Sequence, residues 1–420
     1  MDERERERIR QRKLRKRRVR RIKKMIRAGI ILLMMTVVVV IFMFSCSKED
    51  KDDKKLQDET VEEQAEANEP EVYVEPEIDI LMVGDILLHE NVQESGLMED
   101  GSYNYDHLFA NIKDDVQDAE IAIVNQEVIL GGKELGLHGY PSFNGAFEVG
   151  DALVDAGFNV ILHATNHSLD RGKTALLNCL NFWKTTYPEV GVLGIFDSQE
   201  SYDNDIYIYE QDEIKIAILN YTYGTNGIDM PDDMPYAVAM LDKDKVVSDI
   251  QKANEIADFV IVCPHWGVEY QHEQNSDQEY WANLFLENGV DLVIGTHAHY
   301  IQPVEMLTDD NGNQMLVYWS LGNFINSTSG SGAGTSDRMI GGMAEVTVAK
   351  SEEGDIYIKD YDVEPLVTQL LYGRQEITTY KLADYTEELA ANNKVKEKDS
   401  AFSLEYCQNL CKEVFGELYE

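Results

Sequence analysis

Proline is scarce in this chain, 9 of 420 residues. With a mean hydropathy of -0.34 and 44% hydrophobic residues, that scarcity excludes a collagen-like or wholly disordered polymer. Long apolar runs are scarcer still: there is one, which excludes a polytopic membrane protein. Positive charge is missing from most of the sequence. Of 37 Lys and Arg, 15 fall within the first 27 residues beside 4 acids, which leaves 22 basic against 73 acidic residues in the rest. A basic head therefore precedes a body with a net charge of -51. Cysteine, 5 in all, is too sparse to prove a disulfide. Cys407 and Cys411 lie four apart on an expected helix. They could hold a metal but lack nearby histidines, and read more simply as two half-buried thiols.

The one apolar run, Ala28 to Cys46, has 19 residues without a charge, close to the roughly 20 that cross a bilayer as a helix. The Arg/Lys block of residues 1–27 keeps its own side cytoplasmic by the positive-inside rule and sends the remainder outside. A cleaved signal peptide fits less well, because the basic region is long and no small-x-small site follows. A lipid anchor on Cys46 is the third reading, weakened by the poor match of Met43-Phe44-Ser45 to a lipobox. All three place the body outside the cytoplasm. Beside such a span the basic head is a topology signal and a contact for anionic lipid headgroups, so no nucleic-acid partner is expected. Residues 47–77, rich in Glu, Asp and Lys, bury too little to repay ordering and read as a tether.

From Ile78 the pattern changes to short apolar runs alternating with amphipathic stretches. Ile78–Val83, Ile121–Val124, Val160–His163, Ile214–Leu219, Phe259–Cys263, Leu292–Ile294 and Met315–Trp319 read as buried strands. Asp151–Ala156, Thr174–Thr185, Lys243–Ile256 and Gln278–Leu286 have helical spacing between them. The alternation predicts an α/β domain, and a hairpin of Ile206–Tyr209 with Ile214–Leu219 makes its sheet mixed. Asp355–Val363 is strand-like and Ser403–Leu418 helix-like. Asn326 to Ser336 (NSTSGSGAGTS) is expected to be a mobile loop, either a lid over a site or a plain connection.

Polar residues gather where the expected strands end, the place where open α/β sheets bind ligands. Asp85 follows the first strand, Asn125-Gln126-Glu127 the second, and Asn166 and His167 come just after Val160–Leu162. His265 follows Phe259–Cys263, and His297-Ala298-His299 follows Leu292–Ile294. Singly each is a weak signal, since an Asp after a strand is commonly a cap and one His is commonly a hydrogen-bonded core residue. Together they form a mixed oxygen and nitrogen donor set suited to Mn, Fe or Zn and poorly suited to a thiolate site.

These motifs, with Ala164–Gly172, His265–Tyr270 and Ser320-Leu321-Gly322-Asn323-Phe324, resemble the CapA/PgsA family of capsule and poly-γ-glutamate synthesis proteins over about residues 78–363. The resemblance implies a metallophosphoesterase-like mixed-sheet sandwich flanked by helices, α-β-β-α, occupying residues 78–365, with 366–420 as a carboxyl-terminal extension ending in a helix. It further implies that Asp85, Glu127, Asn166, His265, His297 and His299 line a divalent metal site. Glu127 stands where metallophosphoesterases place a bridging Asp. His167 matches their general acid or electrostatic stabiliser, with Asp170 able to orient it. Arg171, Asn323 and Arg338 become candidate substrate contacts; for the two arginines, solvated surface charge is the plain alternative.

The sequence also departs from that pattern. Where such enzymes carry Asp-x-His, Asp85 is followed by Ile86 and Leu87, so the first metal position lacks a ligand. His89 would replace it if the intervening segment were helical, since i and i+4 share a helical face. His297-Ala298-His299 stands for His-Pro-His, and Ala164-Thr165-Asn166-His167 for Ala-Asn-Asn-His; neither change removes a presumed ligand. The number of ions, one or two, stays open.

Three functions follow. The first is a membrane-anchored extracellular subunit for making or exporting an anionic polymer such as poly-γ-glutamate. The resemblance then implies synthase partners: a cytoplasmic ligase and a membrane subunit. The second is a free-standing metal-dependent phosphoesterase or amide hydrolase of the cell envelope, acting on a phosphorylated or amide substrate. The third is a scaffold that keeps the fold without the chemistry. A body of charge -51 repels a polyanion, so affinity for poly-glutamate requires cations or a local basic patch.

Overall fold

The computed structural model describes Tyr73 and residues 75–419. The basic head, the apolar run of residues 28–46 and nearly all of the acidic tether lie outside the described residues. Among the described residues no helix is long and apolar enough to cross a membrane.

Fourteen strands are present among the described residues: β1 (Glu77–Ile86), β2 (Ile121–Asn125), β3 (Val160–Leu162), β4 (Gly191–Leu193), β5 (Tyr207–Gln211), β6 (Ile214–Thr222), β7 (Phe259–His265), β8 (Leu292–Ile294), β9 (Val304–Thr308), β10 (Gln314–Tyr318), β11 (Asn323–Ile325), β12 (Ile340–Lys350), β13 (Ile356–Leu370) and β14 (Ile377–Lys381). They make two mixed sheets. The first runs β14-β13-β12-β1-β2-β3-β4, with β11 also on β1, and the second runs β5-β6-β7-β8-β10-β9. β1, β2, β3 and β4 are mutually parallel, as are β6, β7, β8 and β10, which is why these strands read as unbroken apolar runs. The sheets face each other. Cys263 Sγ on β7 lies 3.8 Å from Met82 Sδ on β1, and the Tyr318 hydroxyl on β10 donates to the Asp362 carbonyl on β13.

The expected helices are found at Phe147–Ala156, Gly172–Thr186, Lys243–Ile256 and Ser276–Glu287. The third is capped by Asp242 and packs on β6 and β7, while the fourth opens with a capping box of Asn275 and Gln278. The expected hairpin is β5–β6, turning at Asp212 and Glu213, both with positive φ.

A division after residue 365 has no counterpart in the backbone. β13 runs through it, β14 extends the same sheet, and residues 75–420 form one compact unit. Asn326–Ser336 is likewise a held loop rather than a free one. Asn91 donates to the Ser327 hydroxyl, Gly332 N–H to the Lys398 carbonyl, and the Tyr300 hydroxyl to the Gly334 carbonyl.

The feature that positions the site is a change of partner along β1. Its first part pairs antiparallel with β12 as far as Val83; at Asp85 and Ile86 it pairs parallel with β11. The switch demands close backbone approach. A Cβ on Gly84 would sit 1.9 Å from the Gly322 carbonyl oxygen, so only glycine fits.

Candidate functional site

Five strand ends converge between the sheets. Asp85 closes β1, Glu127 lies just past β2 and Asn166 follows β3, all from the first sheet. His265 ends β7, and His297 and His299 follow β8, from the second. All six are buried. A parallel strand that ends in a polar residue delivers it to the same rim as its neighbours, so separations of up to 214 residues collapse to contact distances.

Asp85 is held by donors on both oxygens. Oδ1 accepts from the Asn125 amide at 2.7 Å, and Oδ2 meets the His299 Nδ1 at 3.0 Å and the His297 backbone N–H at 3.2 Å. His265 is aligned through Nδ1 to the Thr296 hydroxyl at 2.9 Å and through Nε2 to the side-chain Oδ1 of Asn166 at 2.9 Å.

Glu127 differs from all of these. It is 1% exposed, and neither carboxylate oxygen has a hydrogen-bond partner among the described residues. Around its Oε1 stand three imidazole Nε2 atoms, of His265 at 3.6 Å, His299 at 3.7 Å and His167 at 3.9 Å. His297 Nδ1 is also buried and unpartnered. Three overlapping groups place their ligand atoms within 4.8 Å of one another: Glu127 with His265 and His297, Asp85 with Glu127 and His299, and Glu269 with His297 and His299. A buried carboxylate without donors costs several kcal/mol. Orphaned oxygens facing imidazole nitrogens are the arrangement that a divalent cation resolves, and the mixed donors suit Mn, Fe or Zn.

The electrostatics agree with this crowding. Burial lowers the His299 pKa, but the Glu127 carboxylate and the hydrogen bond and charge of Asp85 outweigh it and push it up to about 9. Burial, then His265, His299 and His167, holds His297 well below the usual imidazole value. His297 and His299 also sit at φ 91° and 56°, a left-handed backbone that only a constrained surrounding maintains.

His167 stands apart from the ligand group in its bonding. Nδ1 pairs with Asp170 Oδ2 at 2.7 Å, and the ring lies edge-on to Phe143 at 4.8 Å between centroids. Asp170 Oδ2 is itself fixed by the Phe143 backbone N–H at 2.7 Å. With Nδ1 donating to Asp170, Nε2 is left aimed at Glu127.

The substrate candidates fare differently. Arg171 caps the helix Gly172–Thr186 and donates to the Leu135 carbonyl at 3.1 Å. Asn323 is opposite Asp85 in the β1–β11 pairing, and its amide donates to the His299 and Arg338 carbonyls at 3.2 and 2.9 Å, so it braces the site's backbone. Arg338 lies over the Tyr270 ring at 3.9 Å, and that ring is 5.9 Å from His299.

His89 does not stand in for the absent first-motif histidine by the helical route. Residues 85–89 are strand end and coil, and the helix begins at Glu90 with His89 as its cap. The ring still approaches the site. Burial, followed by the charges of His299, Lys398, His167 and Arg338, lowers its pKa to about 4. Asn125, Thr296 and Glu269 lie inside the motifs that the strand ends single out, yet nothing local distinguishes them as partners of the cluster.

The family described as "Bacterial capsule synthesis protein PGA_cap" matches residues 79–328. "Capsule biosynthesis protein CapA" of Bacillus anthracis is 25% identical over 257 residues, covering 58% of this chain and 58% of that one. "PGA biosynthesis protein CapA" of Bacillus subtilis (strain 168) is 28% identical over 174 residues, 41% of this chain and 44% of that one. The matches thus span about half the length of these relatives. Among solved structures, the NAD nucleotidase of Haemophilus influenzae aligns at a TM-score of 0.44 and 14% identity, over 81% of this chain and 60% of that one.

Proposed function

The chain belongs to the bacterial capsule synthesis protein family PGA_cap, and we propose that it serves the making or export of an anionic capsule polymer of the poly-γ-glutamate kind. In this reading Ala28–Cys46 anchors it in the cell membrane and the body lies outside. It works beside synthase subunits that include a cytoplasmic ligase, and its Glu127 cluster holds one or two divalent cations. The observation that carries the reading is the buried Glu127 carboxylate, with no hydrogen-bond donor on either oxygen among the described residues and three imidazole nitrogens within 3.9 Å.

Glu127, Asp85, Asn166, His265, His297 and His299 are the residues that would hold the cation, with Glu269 at the edge. A cation so held supplies Lewis-acid polarisation of a substrate oxygen. The chain's own groups do the rest. His167, locked through Nδ1 by Asp170, offers Nε2 to carry or deliver a proton at a leaving oxygen. Phe143 closes one side of that imidazole against water, and Asn125 and Thr296 keep Asp85 and His265 from rotating.

A direct test compares metal content of the purified full chain with polymer output of a strain carrying Glu127→Ala. Bound metal in the wild type, lost together with polymer in the variant, is expected. Metal-free wild type together with undiminished polymer in the variant contradicts the proposal.

The His167–Asp170 pair favours a second reading, a phosphoesterase or amide hydrolase of the cell envelope, because a purely structural ion needs no oriented proton carrier beside it. Metal-dependent turnover of bis-p-nitrophenyl phosphate, abolished by His167→Ala, would separate it from a role in assembly alone.

A further inference from the structure

Positive charge is rare in the body of this protein, yet two cations meet beside the cluster without a carboxylate between them. Arg338 donates from Nη1 to the Thr328 hydroxyl at 2.9 Å, and the Lys398 ammonium donates to the carbonyl oxygen of the same residue. Neither cation has an ion-pair partner among the described residues. The acids next to them in sequence are engaged elsewhere. Asp337 accepts from the Tyr406 hydroxyl and pairs with His272, and Asp399 accepts from the Ser336 and Ala401 amides.

Two like charges held on one residue repel each other. The Lys398 pKa is lowered, by burial first and by Arg338 second. Arg338 has in addition a buried Nε–H with no hydrogen-bond partner among the described residues. Such an orphaned donor on a cation is a feature that an anion satisfies. The pair also belongs to the site's surroundings. Arg338 lies on Tyr270, which neighbours His299, and both cations bear on the His89 ring together with His299 and His167.

We infer that Arg338 and Lys398, converging on Thr328 beside the Glu127 cluster, form an oxyanion-recognition subsite that takes a carboxylate or phosphate group of the molecule bound there. It supplies the local basic patch that a strongly acidic body needs to hold an anionic substrate. Both cations lie beyond residues 79–328, which the family model matches, while Thr328 is the last residue of that segment, so the carboxyl-terminal part of the chain brings the positive charge to the subsite. The inference rests on the Glu127 cluster being the place of reaction.

The test is calorimetric titration of the full chain with γ-linked pentaglutamate and, separately, with inorganic phosphate, alongside Mn²⁺ uptake. Wild type is compared with Arg338→Gln and Lys398→Gln, and with the charge-keeping Arg338→Lys and Lys398→Arg. The wild type is expected to bind at least one probe, with affinity that falls as salt rises. Each neutral variant weakens it about tenfold or more, the charge-keeping variants retain most of it, and Mn²⁺ uptake is the same in all. Preference for pentaglutamate assigns a carboxylate and preference for phosphate a phosphoryl group. Unchanged affinity in both neutral variants, or no binding of either probe by the wild type, overturns the subsite. Probe binding that depends on both cations in a wild type taking up no Mn²⁺ leaves the subsite standing and overturns the reading of the cluster instead.

Discussion

Two regions of this molecule bury residues that commonly bind metals, and they could hardly differ more. Around Glu127, carboxylates and imidazoles are packed together with oxygen and nitrogen atoms left unsatisfied. On the helix Leu404–Phe415, Cys407 and Cys411 lie one turn apart, buried and free, with neither thiol in a metal-ligand group among the described residues. Burial pushes Cys407 up to about 12 and Cys411 well above its usual value, so both stay neutral thiols at home in apolar packing. A neutral thiol is content in such a place, whereas a carboxylate without donors is not. Spacing along a helix therefore says little about ligation, and unmet polar demand says much.

The comparison breaks most visibly at Glu127. Glu127→Ala should weaken Mn²⁺ binding by at least about 100-fold, a loss on the scale seen when a metal site's supporting contacts are removed or larger. Calorimetry on the full chain reads it, and unchanged affinity would mean that the carboxylate is an ordinary core residue.

His167→Ala is expected to leave Mn²⁺ uptake intact while lowering turnover of a phosphodiester by about 100-fold or more, the usual contribution of a positioned proton carrier. Asp170→Asn should fall between this variant and the wild type. Equal loss of metal and turnover would move His167 into the ligand set.

The pH dependence sharpens the contrast further. In the cation-free protein Glu127 and Asp85 outweigh burial and push the His299 pKa up to about 9. Below that pH a cation must displace its proton, so affinity rises with pH by up to about tenfold per unit and levels off as pH passes 9. His297, held low by burial and its neighbours, is already neutral there and releases nothing. Titration in buffers of different ionisation enthalpy counts the proton, and a flat profile between pH 6 and 9 contradicts the assignment.

Least affected is the thiol pair. Cys407→Ala with Cys411→Ala should leave metal content unchanged and cost about 1 kcal/mol of stability per thiol through lost packing, measured by urea unfolding.

Much of this architecture was readable along the chain, because parallel strands buried on both faces leave continuous apolar runs. β1, β2, β3, β6, β7, β8 and β10 all carry that signature, and the polar residue after such a run marks the rim where ligands gather. Those rims pointed to Asp85, Asn125 to Glu127, Asn166, His167, His265 and His297 to His299; the family resemblance implied Asp85, Glu127, Asn166, His265, His297 and His299 as the ligands among them, and the fold brings these six together. What stayed hidden lacks that signature. β12 has Gly341 and Gly342 near its start, and the short β4 and β11 open on Gly191 and Asn323, so none of the three begins as an unbroken apolar run. Lys398 lies 70 residues from Thr328 and carries no local mark of a site. Arg171, beside a motif in sequence, turns to the Leu135 carbonyl because the helix it caps directs it there. His89 shows the same limit: neighbours in sequence give no direction until the backbone between them is known.

The most direct test of the central claim is anomalous diffraction at the Mn absorption edge from crystals of the full chain grown with Mn²⁺. An anomalous peak within bonding distance of the Glu127 carboxylate and of at least two among His265, His297 and His299 is predicted. A Glu127 carboxylate hydrogen-bonded to protein or water, with no peak near it at saturating Mn²⁺, would contradict the account.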